Sequence, residues 1–224
     1  MPLDLEKREK VFTLSLEKQN VSKITVQVGF CADISGSMSN LYDNGTMQTL
    51  VERLTVVGIK FDDNGQIDTW AFNESVRELD NINEANCETF VNKKFGRIGG
   101  GTNYSPALEE AREHYAPQKK GLFGKVEVQP PAYLMFLTDG EAGDSSETDR
   151  LLAKMESEGI YIQFVAIGTG SKFEFLQEMA DKYSNIGYSH FEKLNKTTDE
   201  EIYDSLVNPE FVGWMKSKYP TYIK

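Results

Sequence analysis

Cysteine and histidine are scarce in this sequence, which holds two of each among its 224 residues. Cys31 and Cys87 do not make the disulfide framework of a small secreted protein, and their spacing is not that of a metal-binding pair. Cys31 lies in an apolar run, so we expect it in the core. His114 and His190 are the imidazole bases available for catalysis, and we expect both to be ordinary surface or interface residues. A Ser-His-Asp hydrolase is therefore poorly supported.

Long hydrophobic runs and an excess of basic residues are also absent. No apolar run reaches the length of a transmembrane helix, and residues 1–10 are polar where a signal peptide needs an apolar segment. Lys and Arg total 24 against 35 Asp and Glu, which gives a formal net charge of -11. Such a chain repels nucleic-acid phosphates and anionic lipid surfaces. The sequence therefore predicts a cytoplasmic protein with no nucleic-acid partner and no direct membrane insertion.

No linker rich in Pro, Gly or Ser divides the chain into comparable halves, which favours one main domain. We place this domain at residues 23–207, after an N-terminal segment at 1–22 and before a C-terminal helix at 208–224. Residues 11–16 alternate apolar and polar side chains, which is typical of a half-buried strand. We therefore expect an edge strand in the N-terminal segment, with a linker from a longer parent protein as the alternative.

Apolar runs alternate along the chain with segments that have helical spacing. The predicted strands are 24–32, 66–72, 76–79, 132–138, 160–167 and 186–191. The predicted helices are 46–58, 83–95, 105–115, 144–159, 199–206 and 209–219, with a further helix around 173–179. The strands at 66–72 and 76–79 flank a short turn and predict a hairpin, whereas 117–131 predicts a loop. We expect an α/β fold with a doubly wound, mainly parallel central sheet, helices on both faces and one antiparallel edge strand.

Three oxygen-bearing side chains, Asp33, Ser35 and Ser37, follow the first predicted strand at alternate positions. Loops at the carboxyl ends of parallel strands present side chains in a crevice, so the three can turn towards one point. A hard divalent cation is the expected occupant, because Mg²⁺ prefers oxygen ligands and is usually held by one or two carboxylates. The same residues also suit turns and helix caps, so this stretch alone leaves both interpretations open.

Two later stretches favour the metal interpretation. Thr102 follows three glycines at 99–101, and Asp139 follows the apolar strand predicted at 132–138. Each places an oxygen ligand at the start of a loop. The helix predicted from Ser105, with Ser105 as its cap, has its amino end beside Thr102, and such an end favours a nearby anion or carboxylate.

The set Asp33-x-Ser35-x-Ser37, Thr102 and Asp139 resembles the metal-ion-dependent adhesion site (MIDAS) of von Willebrand factor type A (VWA) domains. All five motif positions match. The resemblance implies that these five residues are metal ligands. It also implies Mg²⁺ as the ion, with Mn²⁺ or Ca²⁺ as alternatives, and a protein partner whose Asp or Glu carboxylate completes the metal's coordination shell.

Within that superfamily the chain most resembles the VWA domain of bacterial tellurium-resistance (TerF-like) proteins. The similarity lies in the stretches at 16–21, 33–38 and 191–211. It implies a VWA, Rossmann-like fold and a metal-dependent protein-binding module in tellurium resistance or a stress response. The residues themselves do not argue for contact with tellurite.

An enzyme is the less favoured alternative. An aspartyl phosphotransferase also uses a strand-end Asp with Mg²⁺, but it would need a second acid where Ser35 stands. The stretch 168–172 lacks the spacing of a phosphate-binding loop. We interpret Glu141, Asp144 and Glu147 as a solvated loop and helix start rather than as ligands. A scaffold with a structural metal site is the other alternative to the binding module.

Overall fold

Six strands form one sheet in the order β3-β2-β1-β4-β5-β6 in the computed structural model, which describes residues 3–116, 129–169 and 172–224. The strands are β1 (Gln27–Asp33), β2 (Asp68–Phe72), β3 (Val76–Glu78), β4 (Ala132–Thr138), β5 (Ile160–Ile167) and β6 (Ile186–Phe191). All neighbouring pairs are parallel except β2 and β3, which form the predicted antiparallel hairpin at one edge.

Helices cover both faces of the sheet, which confirms the predicted fold class. The helices are α1 (Leu3–Lys18), α2 (Ser39–Asp43), α3 (Thr46–Phe61), α4 (Phe90–Lys94), α5 (Ser105–Tyr115), α6 (Ser145–Met155), α7 (Glu174–Lys182), α8 (Asp199–Leu206) and α9 (Pro209–Lys218). Side chains of α1, α3, α8 and α9 share one hydrophobic cluster, and those of α5, α6 and α7 share the other. None of the helices within the described ranges is long and apolar enough to span a membrane.

The central strand β4 shows why the strands have continuous apolar sequences. Tyr133 and Met135 belong to the cluster under α1, α3, α8 and α9, whereas Leu134 and Phe136 belong to the cluster under α5, α6 and α7. All four side chains are fully buried. Since alternate residues of a strand point to opposite faces, a sheet covered on both sides requires apolar residues at every position.

The edge strand predicted at residues 11–16 is wrong, because these residues belong to helix α1. The apolar side chains of Leu5, Phe12 and Leu16 in α1 are buried. Seven residues separate the first two and four the last two, and these spacings place all three on one face of a helix. The Phe12 ring packs against Phe61 and Tyr203, with centroid distances of 5.1 and 5.2 Å. A window of six residues is too short to distinguish a two-residue period from a helical one, and burial against two other helices decides in favour of the helix.

Three helix boundaries also differ from the predictions. Gly58 does not end α3, which continues to Phe61. A methyl group on Gly58 would approach Ile67 Cγ1 to 2.7 Å, so glycine is needed there for close packing. The helix predicted at 83–95 is a short 3-10 turn (Cys87–Thr89) followed by α4. The helix predicted to reach 159 ends at Met155.

The predicted C-terminal helix forms as α9, where Asn208 accepts a hydrogen bond from the amide of Phe211 at 2.8 Å. An isolated antiparallel bridge joins Ile24, near the start of the predicted main domain, to Ile223 in the C-terminal segment. The division of the chain at residues 22/23 and 207/208 stays a prediction. Most of the loop predicted at 117–131 lies outside the described residues, and 129–131 form no helix or strand.

His114 and Asp68 form a pair at the amino end of β2. His114 Nε2 lies 3.1 Å from Asp68 Oδ2, and the Tyr115 hydroxyl donates to the same oxygen at 2.8 Å. The hydrogen bond with Asp68 raises the pKa of His114 above its ordinary value, and the charges of Asp68, Glu78 and Glu110 act in the same direction. The pair therefore stabilises the protonated imidazole in the folded state.

This pair predicts a pH-dependent contribution to stability. Because the folded-state pKa is raised, the contribution is fully present below the unfolded-state pKa of about 6.5 and is lost as the pH rises through the folded-state pKa. The imidazole is partly solvent-exposed, so we expect a loss of about 0.5 kcal/mol. Urea denaturation of the wild type and of His114→Gln at about pH 5.5 and about pH 8.5 measures it. Equal pH dependence of the two proteins would contradict the prediction.

Candidate metal centre

The carboxyl ends of β1 and β4 lie side by side in the sheet and carry the first elements of the site. The register pairs Ala32 with Leu137, so Asp33 and Thr138 end neighbouring strands. Thr138 Oγ1 donates a hydrogen bond to Asp33 Oδ2 at 2.7 Å, and both side chains are fully buried. Asp139 follows as the first residue beyond β4. The rigid sheet therefore sets the distance between the two candidate carboxylate ligands.

A chain of hydrogen bonds links four of the five predicted ligands. The amide of Ser35 donates to Asp33 Oδ1 at 2.7 Å, and Ser35 Oγ lies 3.1 Å from Ser37 Oγ. Ser37 Oγ in turn donates to Asp139 Oδ1 at 2.6 Å. Asp33 and Ser35 are buried, Asp139 is half-buried and Ser37 is exposed, so the chain runs from the protein interior to the surface.

The glycine loop at 99–101 is held against the loop that follows β1. The amide of Gly99 donates to the carbonyl of Ile34 at 2.8 Å, and the amide of Gly36 donates to the carbonyl of Gly100 at 3.1 Å. Gly100 has a φ of 91°, a conformation that side chains disfavour. The glycines thus allow two backbone segments to approach each other directly.

Thr102, the fifth predicted ligand, lies at the same edge of the sheet. A methyl group on Gly140 would lie 3.9 Å from Thr102 Oγ1, so the hydroxyl is beside the residue that follows Asp139. The carbonyl of Thr102 also accepts a hydrogen bond from the amide of Gly143 at 2.8 Å. The three loops that carry the predicted ligands are therefore in mutual contact.

Burial raises the pKa of Asp33 to about 6, although hydrogen bonds from Ser35 and Thr138 act to lower it. Burial also raises the pKa of Asp139, against the lowering effects of the Ser37 hydroxyl and the Lys172 charge. The donors that stabilise the Asp33 carboxylate are neutral groups. A bound cation would supply the positive charge that this buried carboxylate lacks.

The donor set suits a hard cation with open coordination positions. Two carboxylates and three hydroxyls are hard oxygen ligands, which fits Mg²⁺ or Mn²⁺. The described ranges contain no cluster of three or more His, Cys, Asp or Glu side chains placed to hold a metal. Cys31 is fully buried in the core, as predicted, where burial raises the pKa of its thiol. A metal held by the five predicted ligands would therefore rest on two carboxylates rather than on a cluster of three acids.

Sequence reasoning missed three residues that support the site. Thr138 orients Asp33, as described above. The Tyr42 hydroxyl donates to the Asp33 carbonyl at 2.9 Å, and the Tyr104 hydroxyl donates to the Gly140 carbonyl at 2.5 Å. Thr138 had a sequence signal, because it precedes Asp139 at the end of an apolar strand. The two tyrosines carry no such signal, since each reaches the site from a helix or a helix cap.

Asp144 stands at the predicted helix start, as the N-cap residue of α6, but it is half-buried rather than solvated. Its Oδ1 accepts a hydrogen bond from the amide of Tyr104 and its Oδ2 from the amide of Ser105, each at 2.9 Å. The anion expected at the amino end of α5 is therefore this chain's own carboxylate. Ser105 is not the cap that we predicted, because it is the first residue of α5 and Tyr104 occupies the N-cap position. Glu147 is exposed and pairs with Arg150 at 3.0 Å, as a solvated helix start implies.

A cleft of about 220 Å³ opens beside Asp139. Its apolar residues are Leu41, Ile167 and Leu194, and its polar residues include Glu192. The cleft therefore adjoins one of the two candidate carboxylate ligands.

These features define a VWA-type domain: a doubly wound sheet with an oxygen-ligand site where the loops leave its carboxyl edge. The family model for vWA-TerF-like, described as the vWA found in the TerF C terminus, matches residues 25–223. The chain therefore belongs to the vWA-TerF-like family, as its sequence resemblance predicted. It is also similar to the uncharacterized protein YcbR of Bacillus subtilis (strain 168), with 30% identity over 227 residues that cover 96% of this chain and 86% of YcbR.

Solved structures share the fold at low sequence identity. Proximal thread matrix protein 1 from the mussel byssus matches with a TM-score of 0.61 and 16% identity over 83% of this chain and 48% of the mussel chain. A second structure of that protein, with a zinc-occupied MIDAS motif, has a TM-score of 0.59 and 16% identity over 82% of this chain and 48% of that chain. The pilus adhesin SpaC from Lactobacillus rhamnosus GG has a TM-score of 0.55 and 12% identity over 91% of this chain and 31% of SpaC. This chain thus spans about half the length of the mussel protein.

Proposed function

We propose that this chain is a protein-binding module whose ligand contact is a metal ion. VWA domains commonly mediate metal-dependent protein interactions, and this chain carries that fold. Asp33, Ser35, Ser37, Thr102 and Asp139 would hold Mg²⁺, directly or through water. The observation that carries the proposal is the hydrogen-bonded chain of oxygen side chains around a buried carboxylate with neutral donors.

The charge balance of the site explains why a partner's carboxylate would bind. The two formal charges of Asp33 and Asp139 equal the charge of a divalent ion. The three hydroxyls add no negative charge and donate less electron density to the ion than carboxylates do. The ion therefore stays electron-poor and keeps positions that water or another ligand fills. An Asp or Glu side chain of a protein partner is the hard, anionic ligand that such an ion prefers.

A pull-down from a bacterial lysate tests this function. The immobilised wild type is expected to retain a partner with Mg²⁺ and to release it with a chelator, and Asp139→Ala should retain none. Glu141→Ala is the matched control, because Glu141 is an exposed acid two residues away and should behave as the wild type. Capture that is equal with Mg²⁺, with chelator and with Asp139→Ala would support a scaffold with a structural metal site instead.

The geometry does not favour an aspartyl phosphotransferase. Asp33 is fully buried, and both of its carboxylate oxygens already accept hydrogen bonds, from Ser35 and Thr138. A phosphoryl donor would have to displace these bonds to reach the carboxylate. The Ser35 and Ser37 hydroxyls bond to each other, and Ser37 also donates to Asp139, so neither is paired with a histidine among the described residues. We therefore propose a non-enzymatic role. The TerF in the family name supports a link to tellurium resistance, and we propose a stress response in the bacterial cytoplasm as the wider setting.

Thr102 is expected to couple partner binding to the glycine loop. We predict that Thr102→Ala weakens partner binding by about tenfold and Mg²⁺ binding by less, because its hydroxyl contacts the ion directly when a carboxylate is bound and through water otherwise. Thr102→Ser keeps the hydroxyl and should retain most of both affinities. Titration of the captured partner and calorimetry with Mg²⁺ measure the two effects. Normal partner binding by Thr102→Ala would contradict the coupling.

A further inference from the structure

The two edges of the sheet differ in how well they are protected from pairing with another strand. At one edge, β3 has three residues, of which Arg77 and Glu78 are exposed charges. At the other edge, β6 has six residues and contains no proline, lysine, arginine or acid. Short, charged edge strands resist further pairing, whereas longer edge strands without charge or proline invite it. The β6 edge is therefore the one open to an added strand.

The outward backbone groups of β6 are available for such pairing. The amide of Ile162 donates to the carbonyl of Asn185, and the amide of Gly168 donates to the carbonyl of Phe191. In a parallel ladder alternate residues bond to the neighbouring strand, so the amides and carbonyls of Tyr188 and His190 face away from β5. Within the described part of the chain, these outward groups have no backbone partner.

A groove of about 580 Å³ runs along this edge. Four consecutive residues of β6, 186–189, line it. Asp181 of α7 lines one side of it, and Glu210 at the start of α9 lines the other. An added strand would lie about 4.8 Å from β6 and would direct alternate side chains towards these two sides.

Buried hydrogen bonds connect β6 to β5 and to the segment between α8 and α9. Gln163 is fully buried in β5, and its Nε2 donates to Ser189 Oγ at 3.0 Å. Asn208 Nδ2 donates to Gln163 Oε1 at 2.7 Å, and Ser189 Oγ donates to the Ser205 carbonyl at 3.3 Å. These bonds tie the edge strand to the connection between α8 and α9. A strand that docks on β6 would therefore meet a surface that is already ordered.

We propose that the β6 edge binds an extended, basic peptide segment of a protein partner as a seventh strand. Asp181 and Glu210 are exposed and form no ion pair within the described ranges, and the chain carries a net charge of -11. Because neighbouring residues of a strand point to opposite faces, adjacent Lys or Arg side chains reach both acids. A second copy of this chain fits the groove less well, since pairing two β6 edges would bring the same acids together. The interaction uses backbone and carboxylate groups and needs no metal.

Selection of displayed random peptides of about eight residues, in the presence of a chelator, tests the proposal without the metal site. Tyr188→Pro removes one outward amide while leaving the bonds to β5, because proline is tolerated where the amide does not face the neighbouring strand. Tyr188→Ala is the matched control, since it removes the same side chain and keeps the amide. Melting curves establish that both variants fold.

The enriched peptides are expected to contain Lys or Arg together with β-branched residues. Their affinity should fall about tenfold for Tyr188→Pro and much less for Tyr188→Ala. The double variant Asp181→Lys, Glu210→Lys should cause a similar loss of affinity. It replaces Tyr188→Pro as the test of the proposal if Tyr188→Pro does not fold. The proposal is overturned if no peptide is enriched, if the enriched peptides bind Tyr188→Pro as well as Tyr188→Ala, or if the wild type dimerises through this edge. Since the selection excludes metal, failure here leaves the metal-dependent function standing.

Discussion

Asp33→Ala combined with Asp139→Ala is expected to abolish one-site Mg²⁺ binding, lowering the affinity by more than about 100-fold. The two carboxylates are the charged ligands of the candidate site, and hydrogen bonds through Ser35 and Ser37 link them. The remaining hydroxyls cannot balance the charge of a divalent ion when both carboxylates are gone. Calorimetric titration of the wild type and the double variant with Mg²⁺ and Mn²⁺ measures affinity and stoichiometry.

Glu141→Ala is the control for this experiment. Glu141 is an exposed acid in the same loop, and it is absent from the hydrogen-bonded chain that links Asp33 to Asp139. The Glu141→Ala variant should bind one ion with wild-type affinity, because a solvent-exposed charge outside the ligand set is screened by water and salt. If the double variant bound the ion with unchanged affinity and stoichiometry, the metal site would lie elsewhere in the chain.

Phe12→Ala is expected to lower the free energy of unfolding by about 3–5 kcal/mol. The ring is fully buried between α3 and α8, where it contacts Phe61 and Tyr203. Its removal takes an aromatic side chain out of the core and leaves a cavity that rigid neighbours cannot fill. Chemical denaturation, analysed as a two-state transition, gives the change in free energy.

Leu14→Ala provides the matched control in the same helix. Leu14 is 54% exposed, so its truncation should change stability by less than about 0.5 kcal/mol. If the free energies of unfolding of the two variants differ by several kcal/mol, α1 packs against the core through one face only. Similar small effects of both variants would mean that α1 contributes little to the folded core.

The strands and the metal motif were predictable because their signals are local. A strand such as β4 is apolar at every position, so its sequence alone indicates burial on both faces. Asp33, Ser35 and Ser37 stand two residues apart directly after an apolar run, and Asp139 repeats that position after another run. Since parallel strands place their carboxyl ends at one edge, the convergence of these loops followed from the fold class.

The N-terminal helix and the role of Asp144 were not predictable in the same way. Residues 11–16 fit both a strand and a helix locally, and the difference lies in which side chains meet Phe61 and Tyr203, about 50 and 190 residues further on. Asp144 stands in an acidic, loop-like stretch, yet it binds amides of Tyr104 and Ser105 about 40 residues earlier in the chain. Contacts with residues this distant in the sequence do not show in the pattern of side chains around Asp144.

The sequence by itself determined the order of the six strands, the fold class and the identity of the candidate ligands, because side-chain period and motif spacing are properties of neighbouring residues. The tertiary structure alone decided that α1 packs on α3 and α8, that Tyr42 and Tyr104 brace the site, and that β6 is left as an open edge. Each of these depends on where distant segments meet, which is set by the summed burial and hydrogen bonding of the whole chain rather than by any local pattern.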